Sequence, residues 1–187
     1  FAKIETKLLE NNNNSLDIIY NFELGERAII KKIIFKGDKK FRDTKLRNVI
    51  KSEEGKFWKI ITSNKYLDER RIDLDEKLLR EFYLNKGYFN VKIKSSYAKN
   101  INNKLFELSF NIEAGEKYYF DKISADLKSI FNDNTSRSIE SIFSSLKGKK
   151  YSQKKLNKIL EEINKLALQN EYVFLDTKYN LVVSDIN

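Results

Sequence analysis

The stretch DEKLLREFYLNKGYFNVKI, residues 75–93, changes from a helical pattern to a strand pattern across a single glycine. Before Gly87 the apolar residues recur at the spacing of one helical face, which predicts a helix over 74–86 with Asp73 as its N-cap. Gly87 can adopt the left-handed conformation that ends helices, so it is the candidate helix-to-strand cap. After it, apolar and polar residues alternate, which predicts a strand over 88–98 with one buried face.

The same stretch holds a cluster of aromatic residues that is open to two interpretations, a binding site or a core: Phe82, Tyr83, Tyr88 and Phe89. Helical spacing accounts for the first two, so we expect most of the cluster to be core. Acidic pairs such as Asp73 and Asp75 offer a similar choice between catalytic or metal-binding carboxylates and simple capping and solvation. Because the sequence contains no histidine, we expect capping and solvation, with no catalytic, metal or cofactor site.

Composition excludes several classes of chemistry. The 187 residues are 41% hydrophobic, which is enough for packed cores, and the absence of cysteine and histidine excludes disulfides, thiolate catalysis and imidazole catalysis. The formal charge of +9 would suit nucleic acid, anionic lipid or an acidic partner, but the basic residues are dispersed, as on a solvated surface. The sequence has neither an apolar run long enough for a membrane helix nor an export signal, and we expect a piece of a longer protein.

The sequence contains an internal repeat with a period of about 85 to 90 residues. Residues 16–35 align without a gap on residues 106–125, so that Tyr20 meets Phe110 and Phe22 meets Ile112. The alignment also pairs the residues that join one unit to the next, which are Gly25, Glu26, Gly115 and Glu116. No flexible linker separates the units, so we expect neighbouring units to have a restricted orientation.

Each unit is predicted to have the order β-α-α-β-β. The complete unit has strands at 29–36, 88–98 and 103–113 and helices at 43–51 and 74–86. The next unit has strands at 117–126 and 172–183 and helices at 135–147 and 152–169. We therefore divide the chain into 1–24, the C-terminal hairpin of a preceding unit, 27–113, the complete unit, and 117–187, a unit that lacks its last strand. The residues expected to be buried in the complete unit are Ile33, Phe35, Leu46, Val49, Ile50, Leu78, Leu79, Phe82, Val91, Leu108 and Phe110.

Several motifs resemble polypeptide-transport-associated (POTRA) repeats: IIFKGDKKF (33–41), the apolar residues from Leu46 to Ile50, the segment from Asp73 to Tyr88, and the two E-x-G-E junctions. Residues 55–91 look like the third such repeat of the outer-membrane β-barrel assembly factors, and the resemblance covers nearly the whole chain. One departure is Glu171-Tyr172, where the family usually has Gly-Tyr. The resemblance implies an α+β fold of tandem repeats, each a three-stranded mixed sheet covered by two antiparallel helices.

The resemblance also implies a function. It implies a non-enzymatic arm on the periplasmic side of the outer membrane, followed in the full-length chain by a membrane barrel. Such an arm would receive unfolded outer-membrane proteins and dock accessory lipoproteins through strand addition. Two alternatives stay open, which are the arm of a related translocation or secretion barrel and a basic nucleic-acid-binding α/β module. We expect no nucleic acid as partner, because the sequence has neither a G-x-x-G clamp nor an aromatic RNP-like string.

The candidate edge strand for partners or clients follows the opening helix and comprises Lys92, Ile93, Lys94, Ser95, Ser96 and Tyr97. In the family this is the second strand, which lies at a sheet edge and offers unpaired backbone groups to an extended client. Lysines at an edge also discourage aggregation, and both roles can hold together. The open edge expected at 172–183 and the hairpin 1–24 further predict that the chain can self-associate by strand pairing.

Overall fold

The structure is a computed structural model that describes residues 3–11, 13, 15–23, 27–55, 63–99, 105–125, 131–172 and 179–183. Within these residues the elements are β1 (Lys3–Glu10), β2 (Leu16–Glu23), β3 (Ile29–Asp38), α1 (Asp43–Arg47), α2 (Glu69–Leu84), β4 (Lys92–Lys99), β5 (Leu105–Glu113), α3 (Asp133–Ser144) and α4 (Gln153–Gln169). The predicted α+β class is confirmed. The chain divides into two compact units, the first formed by 1–79 and 93–113 and the second by 80–92 and 114–187.

A three-stranded sheet organises the first unit, with the strand order β3-β5-β4. β3 runs parallel to β5. Only residues 100–104 separate β4 from β5, which is too short for a parallel crossover, so this pair is antiparallel and the sheet is mixed, as predicted. A bulge at Lys31 shifts the register of β3, so that Ile30 and Ile33 both face the core although two lysines lie between them.

One face of this sheet carries most of the core of the first unit. The buried apolar residues are Ile30, Ile33, Phe35, Leu46, Ile50, Ile72, Leu79, Ile93, Phe106, Leu108, Phe110 and Ile112. Eight of the eleven residues predicted to be buried are buried, whereas Val49, Leu78 and Phe82 are half-buried. The most buried line of α2 passes through Ile72, Asp75, Leu79 and Tyr83.

Both helices of the complete repeat have bounds that differ from those predicted. α2 begins at Glu69 rather than near Leu74, so the prediction of Asp73 as its N-cap is wrong. Asp68 takes that role, because its carboxylate accepts the N–H of Arg71 at 3.3 Å. α1 ends at Arg47, since the N–H of Lys51 donates to the Asp75 carboxylate at 2.5 Å instead of continuing the helix.

The predicted hairpin at the start of the chain is formed by β1 and β2, which pair antiparallel. Its described residues are all exposed. One face is apolar, because cross-strand pairs such as Ile4 with Phe22 and Leu8 with Ile18 lie on it. The other face is mixed, because it includes the pair of Lys3 and Glu23 and also Leu9 and Ile19.

The second unit is built around α3 and α4. Its core contains Phe120, Phe131, Ile139, Leu146, Tyr151, Ile159, Ile163 and Ala167, with Leu84 and Phe89 packed against it. The side chain of Asn132 caps α3 and that of Ser152 caps α4, each accepting the backbone N–H three residues on. α4 agrees with the predicted range 152–169 within one residue, whereas α3 begins two residues and ends three residues before the predicted range 135–147.

The strands predicted for the second unit are not formed in the part of it that the structure describes. Of the predicted strand 117–126, residues 117–125 contain one isolated bridge, between Tyr119 and Lys150. Their backbone groups are used by other partners: the N–H of Tyr118 donates to the O of Gly87, and that of Phe120 to the O of Lys149. Residues 173–178 of the predicted strand 172–183 lie outside the described residues, and 179–183 are not in a strand.

Candidate strand-binding edge

The candidate strand of the sequence analysis is β4, and it lies at the edge of the sheet. Its side chains alternate as predicted from about Val91 to Ser96. Ile93 is buried, Lys92, Lys94 and Ser96 are exposed, and Ser95 is half-buried. Tyr97 is 39% exposed and its ring lies 6.3 Å from that of Phe106 on the central strand. The strand is therefore anchored through one face and presents lysines on the other.

The opposite edge of the sheet, β3, is covered by its own chain. The N–H of Ile30 donates to the O of Lys65 at 2.8 Å, and the O of Ile30 accepts the N–H of Gly55 at 2.7 Å. Further along, the N–H of Ile33 donates to the Glu54 carboxylate at 2.9 Å. An additional strand could bind to β3 only if these backbone segments moved away.

Arg47 completes the cover over β3. Its guanidinium donates to the O of Ile33 and to the Glu54 carboxylate, both at 2.5 Å. The pair of Arg47 and Glu54 therefore satisfies both backbone groups of Ile33 at once. This arrangement closes the part of β3 from Ile30 to Ile33 to an added strand in the folded repeat.

The cover over β4 lacks the backbone bonds that β3 has, and within the described residues it is made by side chains of α2. The Glu76 carboxylate accepts the backbone N–H of Ser95 at 2.5 Å. Two turns earlier on α2, the Glu69 carboxylate accepts the hydroxyl of Tyr97 at 2.7 Å, and this hydrogen bond raises the pKa of Tyr97. No backbone segment of the described residues pairs with β4 on the side away from β5.

The cap between α2 and β4 is Gly87, with a φ of +101°. The N–H of Tyr88 donates to the O of Tyr83 at 3.0 Å, which closes the helix. A Cβ atom at Gly87 would lie 2.9 Å from the Cγ of Lys117 and 3.3 Å from the O of Tyr118. Both the backbone conformation and the close neighbours therefore favour glycine here.

Of the predicted junction residues, Gly25 and Glu26 lie outside the described residues. Gly115 has a φ of +70° and is exposed, as is Glu116. No side chain lies within 4 Å of the position that a Cβ at Gly115 would take. The backbone conformation alone accounts for glycine at this junction.

The aromatic cluster of the opening stretch is mainly packed inside the protein. Tyr83 is fully buried, and its ring meets Phe82 at 5.6 Å and Tyr88 at 5.8 Å. Phe89 packs 5.3 Å from Tyr151 and 6.0 Å from Tyr118, within the second unit. These contacts do not leave an aromatic binding site there.

Two acidic residues on α2 have roles that were not predicted from the sequence. Asp75 was expected to be solvated or to cap its own helix, but it is fully buried and accepts the N–H groups of Lys51 and Ser52. Glu76 was not singled out as part of the edge. Glu69 and Glu76 are seven residues apart and therefore lie on the same side of the helix. This spacing is the sequence pattern that could have indicated a shared role.

A family model and a curated protein are similar to this chain. A family model described as "POTRA: Surface antigen variable number repeat" matches residues 28–115. Residues 28–115 of this chain are therefore similar to a POTRA repeat. It is 24% identical over 162 residues to the outer membrane protein assembly factor BamA of Neisseria meningitidis, a match that covers 86% of this chain and 20% of BamA. The chain thus spans about a fifth of the length of that curated relative.

Two solved structures share the fold of this chain. The POTRA3-5 region of Haemophilus influenzae BamA superposes with a TM-score of 0.52 at 14% identity, covering 92% of this chain and 63% of that one. POTRA1-2 of Omp85 from Anabaena gives a TM-score of 0.52 at 15% identity, covering 85% of this chain and 90% of that one. The predicted α+β fold is thereby confirmed as one shared with solved POTRA structures.

Among the residues that the structure describes, no group of acidic side chains could hold a metal ion. Over the same residues, no helix is both long enough and apolar enough to cross a membrane.

Proposed function

We propose that this chain is the periplasmic part of an outer-membrane protein assembly factor of the BamA type, and that it acts by binding rather than catalysis. The curated relative and the BamA structure support this proposal through their names and through the shared repeat fold. The full-length protein would continue into a membrane barrel. Its clients would be unfolded outer-membrane proteins, and accessory lipoproteins would dock on the repeats.

The contact that we propose for clients is strand addition at β4. The single observation that carries this proposal is the difference between the two edges of the sheet. β3 is covered by backbone hydrogen bonds from its own chain, whereas β4 meets the side chain of Glu76. A β-strand that adds to an edge is held by backbone bonds and depends little on its own sequence, which suits a receptor for many clients.

The direction of the backbone groups on β4 follows from Ser95. Its N–H donates to Glu76 and therefore does not donate to β5. Because donors alternate along an antiparallel strand, the N–H groups of Ile93 and Tyr97 also face away from β5. These three donors form the row that an incoming strand would use.

We also propose that the hairpin 1–24 is the C-terminal part of a preceding POTRA repeat, as the repeat alignment indicates. Its apolar positions Leu16, Ile18, Tyr20 and Phe22 align with Phe106, Leu108, Phe110 and Ile112, which are buried in the complete repeat. The hairpin therefore carries the residues of a sheet face that helices cover elsewhere in the same chain.

The proposed contact can be tested with a proline at Tyr97. Proline removes the outward N–H, and Tyr97→Ala is the matched control because it removes the same ring and hydroxyl but keeps that donor. The probe is a fluorescein-labelled peptide of about ten residues with the alternating apolar and polar pattern of a membrane β-strand, and anisotropy gives its affinity. We expect Tyr97→Pro to bind up to about tenfold more weakly than Tyr97→Ala.

The same titration includes a variant with Lys92→Ser and Lys94→Ser. We expect this change to affect affinity less than the proline does, apart from slower association with acidic peptides at low salt. If the proline variant binds like its alanine control while the lysine changes abolish binding, strand addition is wrong and an electrostatic docking surface replaces it. Circular dichroism must show that every variant is folded.

A further inference from the structure

We propose that Glu76 is a built-in competitor for the strand-binding edge, which occupies the donor of Ser95 until an incoming strand replaces it. This inference rests on the proposed function of β4. The observation behind it is the hydrogen bond from the Ser95 N–H to the Glu76 carboxylate at 2.5 Å. An incoming strand would offer a backbone carbonyl to that same donor, so the two acceptors cannot bind it together.

The backbone of α2 around Glu76 is fixed. Asp75 is fully buried and accepts the N–H groups of Lys51 and Ser52, and Leu79 is fully buried on the next turn. The side chain of Glu76 itself is only half-buried. It can therefore rotate into water without any movement of the helix, and its carboxylate would be hydrated once released.

The carboxylate on β4 is held less firmly than the carboxylate on β3. On β3 the N–H of Ile30 donates to the backbone O of Lys65, and the N–H of Ile33 donates to the Glu54 carboxylate. Arg47 in turn holds that carboxylate in place. Among the described residues, no Lys or Arg forms an ion pair with the Glu76 carboxylate. The fold therefore closes one edge through interlocked partners and the other through one rotatable carboxylate.

A rotatable cap would have two effects on clients. It satisfies the central donor when no client is present, which limits the association of empty edges with one another. It also lowers the affinity for every strand by the same factor, so that only peptides able to make several consecutive backbone bonds remain bound. Glu76 would thus select for extended strands without reading their sequence.

The test uses the whole 187-residue chain and the same labelled ten-residue alternating peptide. Glu76→Ala should bind the peptide about three- to tenfold more tightly than the unsubstituted chain, because one competing hydrogen bond is removed. Glu76→Gln keeps a weaker, neutral acceptor and should fall between the two. The matched control is Asp73→Ala, which removes the same charge from an exposed position of α2 and should stay within about twofold of the unsubstituted chain.

The outcomes separate this inference from the proposed function. If Glu76→Ala and Glu76→Gln bind like the unsubstituted chain while Tyr97→Pro still weakens binding, β4 receives strands but Glu76 does not compete. If Glu76→Ala and Asp73→Ala tighten binding equally, the effect is one of general charge, and the competitor role is wrong. If neither the unsubstituted chain nor Glu76→Ala binds the peptide, strand addition at β4 fails and the competitor role fails with it. Hydrogen exchange at Ser95 should also be faster in free Glu76→Ala, and an unchanged rate would contradict the capping contact.

Discussion

Replacing Glu171 with glycine should stabilise the second unit. Glu171 has a φ of +67°, and this left-handed conformation costs a residue with a Cβ atom roughly 1–2 kcal/mol. The turn after α4 has the hydrogen bond that is also found after α2: the N–H of Tyr172 donates to the O of Ala167 at 3.0 Å, as that of Tyr88 does to the O of Tyr83. The first turn has Gly87 at its left-handed position, and the second has a glutamate.

The magnitude of this effect follows from two opposing terms. Glycine removes the left-handed strain of roughly 1–2 kcal/mol, but it also gives the unfolded chain more freedom, which costs roughly 0.5–1 kcal/mol. The Glu171 side chain is exposed, so its removal loses little contact. We expect a net gain of about 0.5–1 kcal/mol in the free energy of unfolding, or about 1–4 °C in Tm for a chain of this size.

Urea unfolding followed by far-ultraviolet circular dichroism measures this gain. Glu171→Ala is the matched control: it removes the carboxylate but keeps the Cβ atom, so its stability should stay within about 0.5 kcal/mol of the unsubstituted chain. Gly87→Ala should act in the opposite direction and cost about 1–3 kcal/mol, because it adds strain at a φ of +101° and crowds Lys117. If Glu171→Gly is no more stable than Glu171→Ala, the turn after α4 stores no strain and the reasoning is refuted.

Three further predictions concern burial and titration. Burial, with a smaller contribution from Tyr179, raises the pKa of Tyr151 to about 12, so the folded state holds this proton more tightly than the unfolded chain. The free energy of unfolding should therefore be constant below about pH 10 and fall between about pH 10 and 12, and Tyr151→Phe should reduce that fall in alkaline urea titrations. Asp75→Ala leaves the N–H groups of Lys51 and Ser52 without their acceptor and should cost about 2–4 kcal/mol in urea unfolding, with a smaller loss for Asp75→Asn. Ile112→Ala should lower the free energy of unfolding by about 2–5 kcal/mol, whereas Phe22→Ala, at the aligned position of the exposed hairpin, should change it by less than about 0.5 kcal/mol. Equal losses would mean that the hairpin is packed.

The fold could be predicted well where the sequence pattern is local. Periodicity located four helices and the three strands of the complete repeat, and the alternation around Phe106 to Ile112 gave the correct buried face. The start of α2 was missed because its first turn contains few apolar residues, so the capping role of Asp68 was not recognised. α1 was predicted too long for a tertiary reason, since its end depends on Asp75 of another helix.

The candidate site could be predicted only in part. Lys92 to Tyr97 were identified as an edge strand from the family order, and the structure places β4 at the edge of the sheet. The contact between Glu76 and Ser95 could not be inferred, because it joins residues 19 apart whose meeting depends on how α2 lies against the sheet. A carboxylate that caps a strand edge has the same local pattern in sequence as one that is fully solvated.

The hairpin and the complete repeat together indicate what α2 contributes. Phe22 is 63% exposed and the aligned Ile112 is fully buried, although both lie on the apolar face of a similar strand. A strand pattern therefore determines which face is apolar but not whether that face is covered. In the complete repeat, Ile72 and Leu79 of α2 are part of the cover, and the neighbouring line of the same helix carries Glu69 and Glu76 to β4. Since the two lines are distinct, the edge can be made more or less accessible by changes at Glu76 while the residues that fold the sheet stay the same.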